Sequence, residues 1–503
     1  MTMNIRRLIH IFIAFACLAM MSACYNYDQE GIEEVNAANY YINLAISVSN
    51  GNDYSTRAGE LPTGGEDGDG REAGFERENT ITGITLILYQ DGTGINTEAN
   101  PTLDLVRYFP VTLEVGGRET QGEDLSPHKE EARYTTGNQP LGKNHKLNLS
   151  GTYHAIVIAN APELTASLIE GTSKLSDVRD AKSKFIYLGD PTKSAAECTN
   201  FVMSSEADNT INFSTATVTS LVDGDKLLDV SAQPLVIERL AARIDFWSAN
   251  SEGYDDTHYS KKGYVYNVTG SATDKFVVTG IIPFNLNNAD AIYGFEYLIK
   301  RLKDDLSVST VTYLADEEKT TSYVIDPMTI SYKASPYKLK SSLGDLYDML
   351  GDEHVDIEST SYFHSIESMH GSTDAASTIS GKENVIVCYP MENTLLPTTP
   401  LYYYATGIAI VGYYYKNGTG AGTRFVYLTY LRHQGDKATY DVLPFTTPLA
   451  TDATMGTTTP MNYGIVRNNI YRVSINSIDK KSAVELSIKV KKWDPYIHDF
   501  IYM

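Results

Sequence analysis

Apolar and polar positions alternate with a period of two along much of the chain. From Ile42 onward, Ile42, Leu44, Ile46 and Val48 alternate with Asn43, Ala45, Ser47 and Ser49, which predicts a strand that buries one face. Further strands are predicted at Ile81–Gln90, in "LDLVRYFPVTLEV", and at Tyr153–Ala159, which has the composition of a central strand. A second block opens after Pro234 with "LVIERLAARIDFWSA" and continues through "YVYNVTG", "KFVVTGIIPFNL", "TSYVIDP", "ENVIVCYPMEN", "LYYYATGIAIVGYYY", "TRFVYLTYL", "IYRVSINSI" and "AVELSIKVKKW". Short helices are expected within Glu163–Glu170, around Leu175–Phe185 and near Leu343–Leu350. Tyr54–Asn79 reads as loop, because "PTGGEDGDGREAGFEREN" is too rich in glycine and charge to form an element. Strands do not alternate regularly with helices, which opposes a doubly wound sheet and favours antiparallel sandwiches. The chain therefore reads as mostly β, with two antiparallel β-sandwich domains in tandem, a boundary near residues 225 to 235, and short helices in loops.

Composition supports that picture and narrows the partners. At 503 residues the chain exceeds one ordinary domain. Its 36 Tyr and 37 Gly suit strands and turns better than long helices. The balance of 63 Asp plus Glu against 41 Lys plus Arg, a net charge of -22, opposes nucleic-acid binding and supplies no basic surface for an anionic membrane.

Residues 1–23 read as a targeting segment. Arg6 and Arg7 provide the positive region, Leu8–Met21 an apolar core interrupted by His10, and Met21-Ser22-Ala23 leads to Cys24. This resembles a bacterial lipoprotein signal in which Cys24 becomes the lipidated N-terminus, although Met21 stands where Leu is more usual. No later run reaches the 18 to 20 apolar residues of a membrane-spanning helix. Cys17 leaves with the signal, and Cys198 and Cys388 read as two buried small apolar residues rather than a structural disulfide.

Candidate chemistry is sparse. His354, His364 and His370 lie near Asp356, Glu358 and Glu367, but their spacing matches no short metal-ligand box, and they read as solvated loop residues. Asp67, Asp69 and Glu78 occupy positions 1, 3 and 12 of a calcium loop, yet Arg71 falls where a ligand belongs and Glu72 where the glycine turn belongs. The chain shows no GxSxG elbow, Walker loop or GxGxxG turn, so neither an enzyme nor a cofactor is expected. Tyr402–Tyr404 and Tyr413–Tyr415 could form a sugar-stacking platform, but strand alternation would split each triplet between two faces, as sheet packing requires.

Several pieces converge on one family: the signal ending at Cys24, the alternating strand Ile42–Val48, "STRAG" at Ser55–Gly59, "ERLAARIDF" at Glu238–Phe246, and "NYGIVRNNIYRVSI" at Asn462–Ile475 with the terminal "VKKW". Together they resemble the FimA and Mfa-like fimbrillins of the Bacteroidales, subunits of a pilus assembled outside the outer membrane. The resemblance implies two tandem transthyretin-like β-sandwiches, here residues 58–232 and 233–503, preceded by the signal 1–23 and a propeptide 24–57. It further implies a precursor lipid-anchored at Cys24 and cut by an arginine-specific surface protease between Arg57 and Ala58, with Arg71 and Arg77 as competing sites. The cut would release the strand carrying Ile42, Leu44, Ile46 and Val48. Another subunit's C-terminal tail would then fill the groove, here "DPYIHDFIYM" with Ile497, Phe500, Ile501, Tyr502 and Met503 as donor side chains. The implied partners are other fimbrial subunits and a host or bacterial surface ligand. The competing expectations are a fimbrial tip adhesin and a monomeric outer-membrane lipoprotein that binds glycan or host ligand and keeps its first strand.

Overall fold

The structure is a computed structural model and describes residues 39–48, 71–73, 75–90, 101–113, 133–142, 147, 151–180, 192–205, 209–221, 224–286, 356–372, 376–394, 405–431, 440–442, 464–479 and 484–494. It is built mostly of strands with a few short helices, as the alternation predicts. The N-terminal half begins with β1 (Tyr40–Asn43), β2 (Ala45–Val48), β3 (Arg71–Ala73), β4 (Gly83–Tyr89) and β5 (Leu103–Pro110). It continues with β6 (Thr112–Leu113), β7 (Arg133–Thr135), β8 (Gln139–Gly142), β9 (Thr152–Ala159) and β10 (Met203–Ser205). β11 (Asn209–Asn212), β12 (Thr217–Ser220), β13 (Lys226–Asp229) and β14 (Leu235–Arg239) complete it.

Except for β3, these strands form a four-stranded sheet, β12-β13-β1-β8, and a nine-stranded sheet, β5-β4-β9-β10-β14-β2-β7-β6, with β11 also paired to β9. One apolar core lies between them, joining Ile42, Leu141 and Leu228 of the smaller sheet to Leu86, Ile156 and Ile237 of the larger. All seven residues of β4 are buried, as are the last five of β9, which explains their near-continuous apolar sequence. The predicted helices are present at Leu164–Ser167 and Leu175–Asp180; the one near Leu343–Leu350 lies outside the described residues.

In the C-terminal half come β15 (Arg243–Trp247), β16 (Gly253–Asp255), β17 (Gly263–Asn267), β18 (Lys275–Phe284), β19 (His364–Ser365), β20 (Ala376–Ile379) and β21 (Lys382–Cys388). After them come β22 (Asn393–Thr394), β23 (Gly407–Tyr415), β24 (Thr423–Tyr430), β25 (Tyr440–Val442), β26 (Gly464–Ile465), β27 (Asn469–Ile478) and β28 (Val484–Asp494). They form the sheets β20-β21-β15-β27-β28-β25 and β16-β17-β18-β23-β24, with β19 on β18 and a small β22-β26 pair. A second core joins Ile244, Val387 and Val473 to Phe276, Ile281 and Ile410 across those two larger sheets. No helix among the described residues is long and apolar enough to cross a membrane.

Two features depart from the sequence reading, the parallel pairings and the order within the segment read as loop. Among the described strands, pairing is antiparallel except where β1 meets β13, β2 meets β14, β15 meets β27 and β28 meets β3 in parallel. The segment read as loop contains two elements, β3 and the one-turn helix Glu76–Asn79, because tertiary partners satisfy a backbone that local composition would leave open. β14 belongs to the first sheets and β15 to the second, with residues 240–242 between them.

Candidate functional site

The first strand is shared between the two N-terminal sheets. β1 lies between β13, in parallel with Ile42 opposite Leu228, and β8, antiparallel with Tyr41 opposite Pro140. β2 lies between β14, in parallel with Ile46 opposite Leu235, and β7, antiparallel with Ile46 opposite Tyr134. The change of sheet occurs at Leu44, whose N–H donates to Thr136 Oγ1 at 3.0 Å and whose carbonyl accepts the Thr136 N–H at 3.0 Å. Tyr40, Tyr41, Ile42, Ile46 and Ser47 therefore have a strand on each side, while Asn43, Ala45 and Val48 pair on one side.

Ile42, Leu44, Ile46 and Val48 are at most 1% exposed, in agreement with the alternation. Ala45 and Ser47 are also buried, so β2 is covered on both faces rather than one. Residues 39–48 contain no charged side chain. Two asparagines reach carboxylates at the edge of this segment: Asn39 Nδ2 donates to Asp225 Oδ2 at 3.3 Å, and Asn43 Nδ2 donates to Asp229 Oδ1 at 3.3 Å while its Oδ1 accepts from Thr135 Oγ1 at 3.0 Å. Burial pushes the Asp229 carboxyl up, but hydrogen bonds from Ser231 and Asn43 and the charge of Arg133 outweigh it and hold the group below its usual range.

A different chemistry holds the junction between the halves. Arg239, Arg243, Arg467 and Arg472 are buried there with Glu78, Glu238, Asp245 and Glu392, four cations against four carboxylates. Arg243 grips Asp245 with Nε and Nη2, each at 2.8 Å, and reaches Glu78 Oε2 at 3.3 Å. Arg472 lies 3.7 Å from Asp245 and donates to Asn384 Oδ1 at 3.1 Å, while Asn384 donates back to Asp245 at 2.8 Å. Arg467 pairs with Glu392 at 3.0 Å and lies 3.9 Å from Glu238. Arg239 donates to the Glu78 carbonyl at 3.2 Å, to Asn468 Oδ1 at 2.8 Å and to Asn79 Oδ1. Burial alone would lower the Arg243 pKa, but Asp245 and Glu78 overcome it and keep the guanidinium charged. The Tyr389 hydroxyl, pushed up by burial and by the charge of Glu78, stays protonated and donates to that carboxylate.

Local structure explains how these groups meet. Glu78 accepts the Phe75 N–H at 2.7 Å and so caps the helix that carries it. Asn468 adopts a left-handed φ of 58°, which asparagine tolerates, and its N–H donates to the Ala241 carbonyl at 2.8 Å. "ERLAARIDF" and "NYGIVRNNIYRVSI", distinctive as strings, thus supply the buried arginines of one network. Glu78 belongs to this junction instead of a calcium loop, and Asp67 and Asp69 lie outside the described residues. Neither Glu78 nor Glu392 was legible as a junction residue, since nothing local marks a carboxylate whose partner, Arg243 or Arg467, lies far along the chain.

The remaining candidates fall elsewhere. Cys24, Arg57, Ala58 and the tail residues Ile497, Phe500, Ile501, Tyr502 and Met503 lie outside the described residues, as do His354 and Tyr402–Tyr404. His364 is buried on β19 rather than solvated, and the His370 ring stacks on Tyr254 at 3.8 Å and bonds Glu383. Glu358 and Glu367 pair separately with Lys261 and Lys262. Among the described residues no group of three or more His, Cys, Asp or Glu is placed to hold a metal ion. Tyr415 is buried against Val265 and Val277, whereas Tyr414 packs with the second core and donates to Asp274 at 2.6 Å, so this triplet is divided between faces.

No protein-family model matches the sequence, and no curated protein matches it. Solved structures with a similar fold include a candidate cell adhesion protein from Parabacteroides distasonis, at 13% identity, TM-score 0.40, and coverage of 92% of this chain and 99% of the other. The tip fimbrial protein Mfa3 from Porphyromonas gingivalis, with a C-terminal truncation, gives 10% identity and TM-score 0.37 over 90% of this chain and 100% of the other. A fimbrilin, FimA, from Porphyromonas gingivalis gives 11% identity and TM-score 0.35 over 92% and 100%. At such identities and TM-scores the likeness carries no functional argument, and the functional reading rests on the chain's own strands.

Proposed function

We propose that this chain is a structural subunit of a surface fimbrium that supports adhesion, polymerised by strand exchange after its first strand is released. The observation that carries this reading is the double insertion of β1 and β2. Withdrawing them would uncover the edges of β13 and β8 in one sheet and of β14 and β7 in the other, along a groove already shaped for apolar side chains. Refilling the places of Ile42, Leu44, Ile46 and Val48, at ~1.5 to 3 kcal/mol each, offers about 6 to 12 kcal/mol before ordering costs. A donated strand adds backbone hydrogen bonds on both sides. The four vacated places are aliphatic, so a tail such as "DPYIHDFIYM" refills them with the apolar pattern of Ile497, Phe500, Ile501, Tyr502 and Met503, its Asp499 interrupting one face.

The precursor would be exported as a lipoprotein anchored to the outer membrane through Cys24, then cut between Arg57 and Ala58 by an arginine-specific protease. Such a protease needs an extended, unpaired backbone. Arg71 is instead paired with Lys492 through β3, and Arg77 sits in the helix, donating to Tyr389 Oη at 3.0 Å and lying over the Phe75 ring. A cut at Arg57 leaves β3 and Glu78 on the mature chain, whereas a cut at Arg77 would separate β3 from it. N-terminal sequencing of protein taken from surface fibres tests this reading: Ala58 as the first residue is expected. Recovery of Tyr41–Arg57 still attached to assembled fibres would overturn strand release and favour a monomeric surface lipoprotein.

A further inference from the structure

Cys198 and Cys388 are far apart in sequence and belong to different halves, yet the fold brings their segments together. Cys198 ends the one-turn helix Ala195–Glu197, which packs directly on β21, the strand that Cys388 terminates. Phe201 meets Tyr389 edge to face, with ring centroids 4.7 Å apart. Just beyond, the Leu240 N–H donates to the Val202 carbonyl at 3.3 Å. The run 195–202 therefore lies along the end of β21, and both cysteines are 2% exposed and present as free thiols. Burial pushes the Cys388 thiol well above its ordinary range, and the nearby Cys198 adds to that.

We propose that Cys198 and Cys388 form a disulfide that staples the two halves across their junction in the exported protein. Each thiol gives up one proton, the two Sγ atoms bond, and the two electrons pass to the disulfide of an exported thiol oxidoreductase, which becomes a dithiol. Cys198 reacts first, since exposed Ala196, Glu197, Thr199 and Asn200 flank it. The resulting mixed disulfide is attacked by Cys388 before the junction closes, because a buried thiol with a raised pKa supplies too little thiolate afterwards. Closing so long a loop restricts the unfolded chain strongly. The proposal depends on the fimbrial reading only for export to an oxidising compartment.

The test quenches surface-derived protein in acid denaturant, alkylates it and maps its peptides. The same full chain, refolded in a glutathione redox buffer, tests the geometry without reference to export. A Cys198–Cys388 peptide is expected in both samples, distinct from any bond to Cys17 or Cys24. Reductant should lower the melting temperature by about 5 °C. That drop should vanish in Cys198→Ser and Cys388→Ser, which should melt like the reduced wild type. Full alkylation of both cysteines in either sample overturns the staple. Absence of fibres with the bond intact would instead reject only the fimbrial reading.

Discussion

The first strand and the junction are both buried, but they are held by opposite means. β1 and β2 are retained mainly by aliphatic contacts and backbone ladders, interactions that another apolar extended segment can reproduce, with Asn39 and Asn43 bonded to Asp225 and Asp229 at the edge. The junction is retained by four buried arginines and four buried carboxylates, whose geometry only their own partners satisfy. Hydrophobic burial is non-directional and forgiving of side-chain identity. A buried charge left without its partner is heavily penalised. On the proposed reading, this division lets one strand be exchanged while the two halves stay in register.

The largest effect should come from breaking the junction. Arg243→Ala strands Asp245 and Glu78 without a shared cation and should destabilise the full chain by ~3 to 5 kcal/mol, read as a lower denaturant midpoint. A loss below about 1 kcal/mol would show that the network is solvated and remove the contrast.

Next in size is the strand itself. Ile46→Ala should cost ~2 to 4 kcal/mol in the precursor. After cleavage and strand release the same substitution should have no effect on the mature chain, because the residue has left. A persisting difference would mean that the strand stays.

Removing residues from Pro495 onward should abolish fibre extension while shifting monomer stability by less than about 1 kcal/mol, since β28 ends at Asp494. Normal fibres on imaging would reject the donor tail. Loss of the folded monomer would place the tail in the C-terminal core.

The smallest effect is on pH dependence. Asp229 and Glu383 are held below their ordinary range, Glu383 because hydrogen bonds from Gly371, Tyr264 and His370 outweigh its burial. A group depressed by folding stabilises the protein fully above its unfolded pKa, about 4, and loses that contribution as pH falls through the folded value. Melting temperature should therefore decline below about pH 4, with a shallower slope in Asp229→Asn; an unchanged slope would remove Asp229 from the strand's support.

Alternation alone determined much of this protein. Ile42, Leu44, Ile46 and Val48 were legible as a buried strand, and the mostly β character followed from repeated period-two runs, because the pleat sends successive side chains to opposite faces. What tertiary structure decided was which edges those strands meet. No local pattern reveals that one segment changes sheets at Leu44, that β3 pairs in parallel with β28, or that Glu78 meets Arg243. The charged residues of "ERLAARIDF" and "NYGIVRNNIYRVSI" were visible as unusual strings, but their burial was not, since the cost of burying a charge is met only by partners that the folded chain supplies. Cys198 and Cys388 read correctly as buried, while their approach across the junction was decided by the docking of the two halves, which brings distant segments together without marking either in sequence.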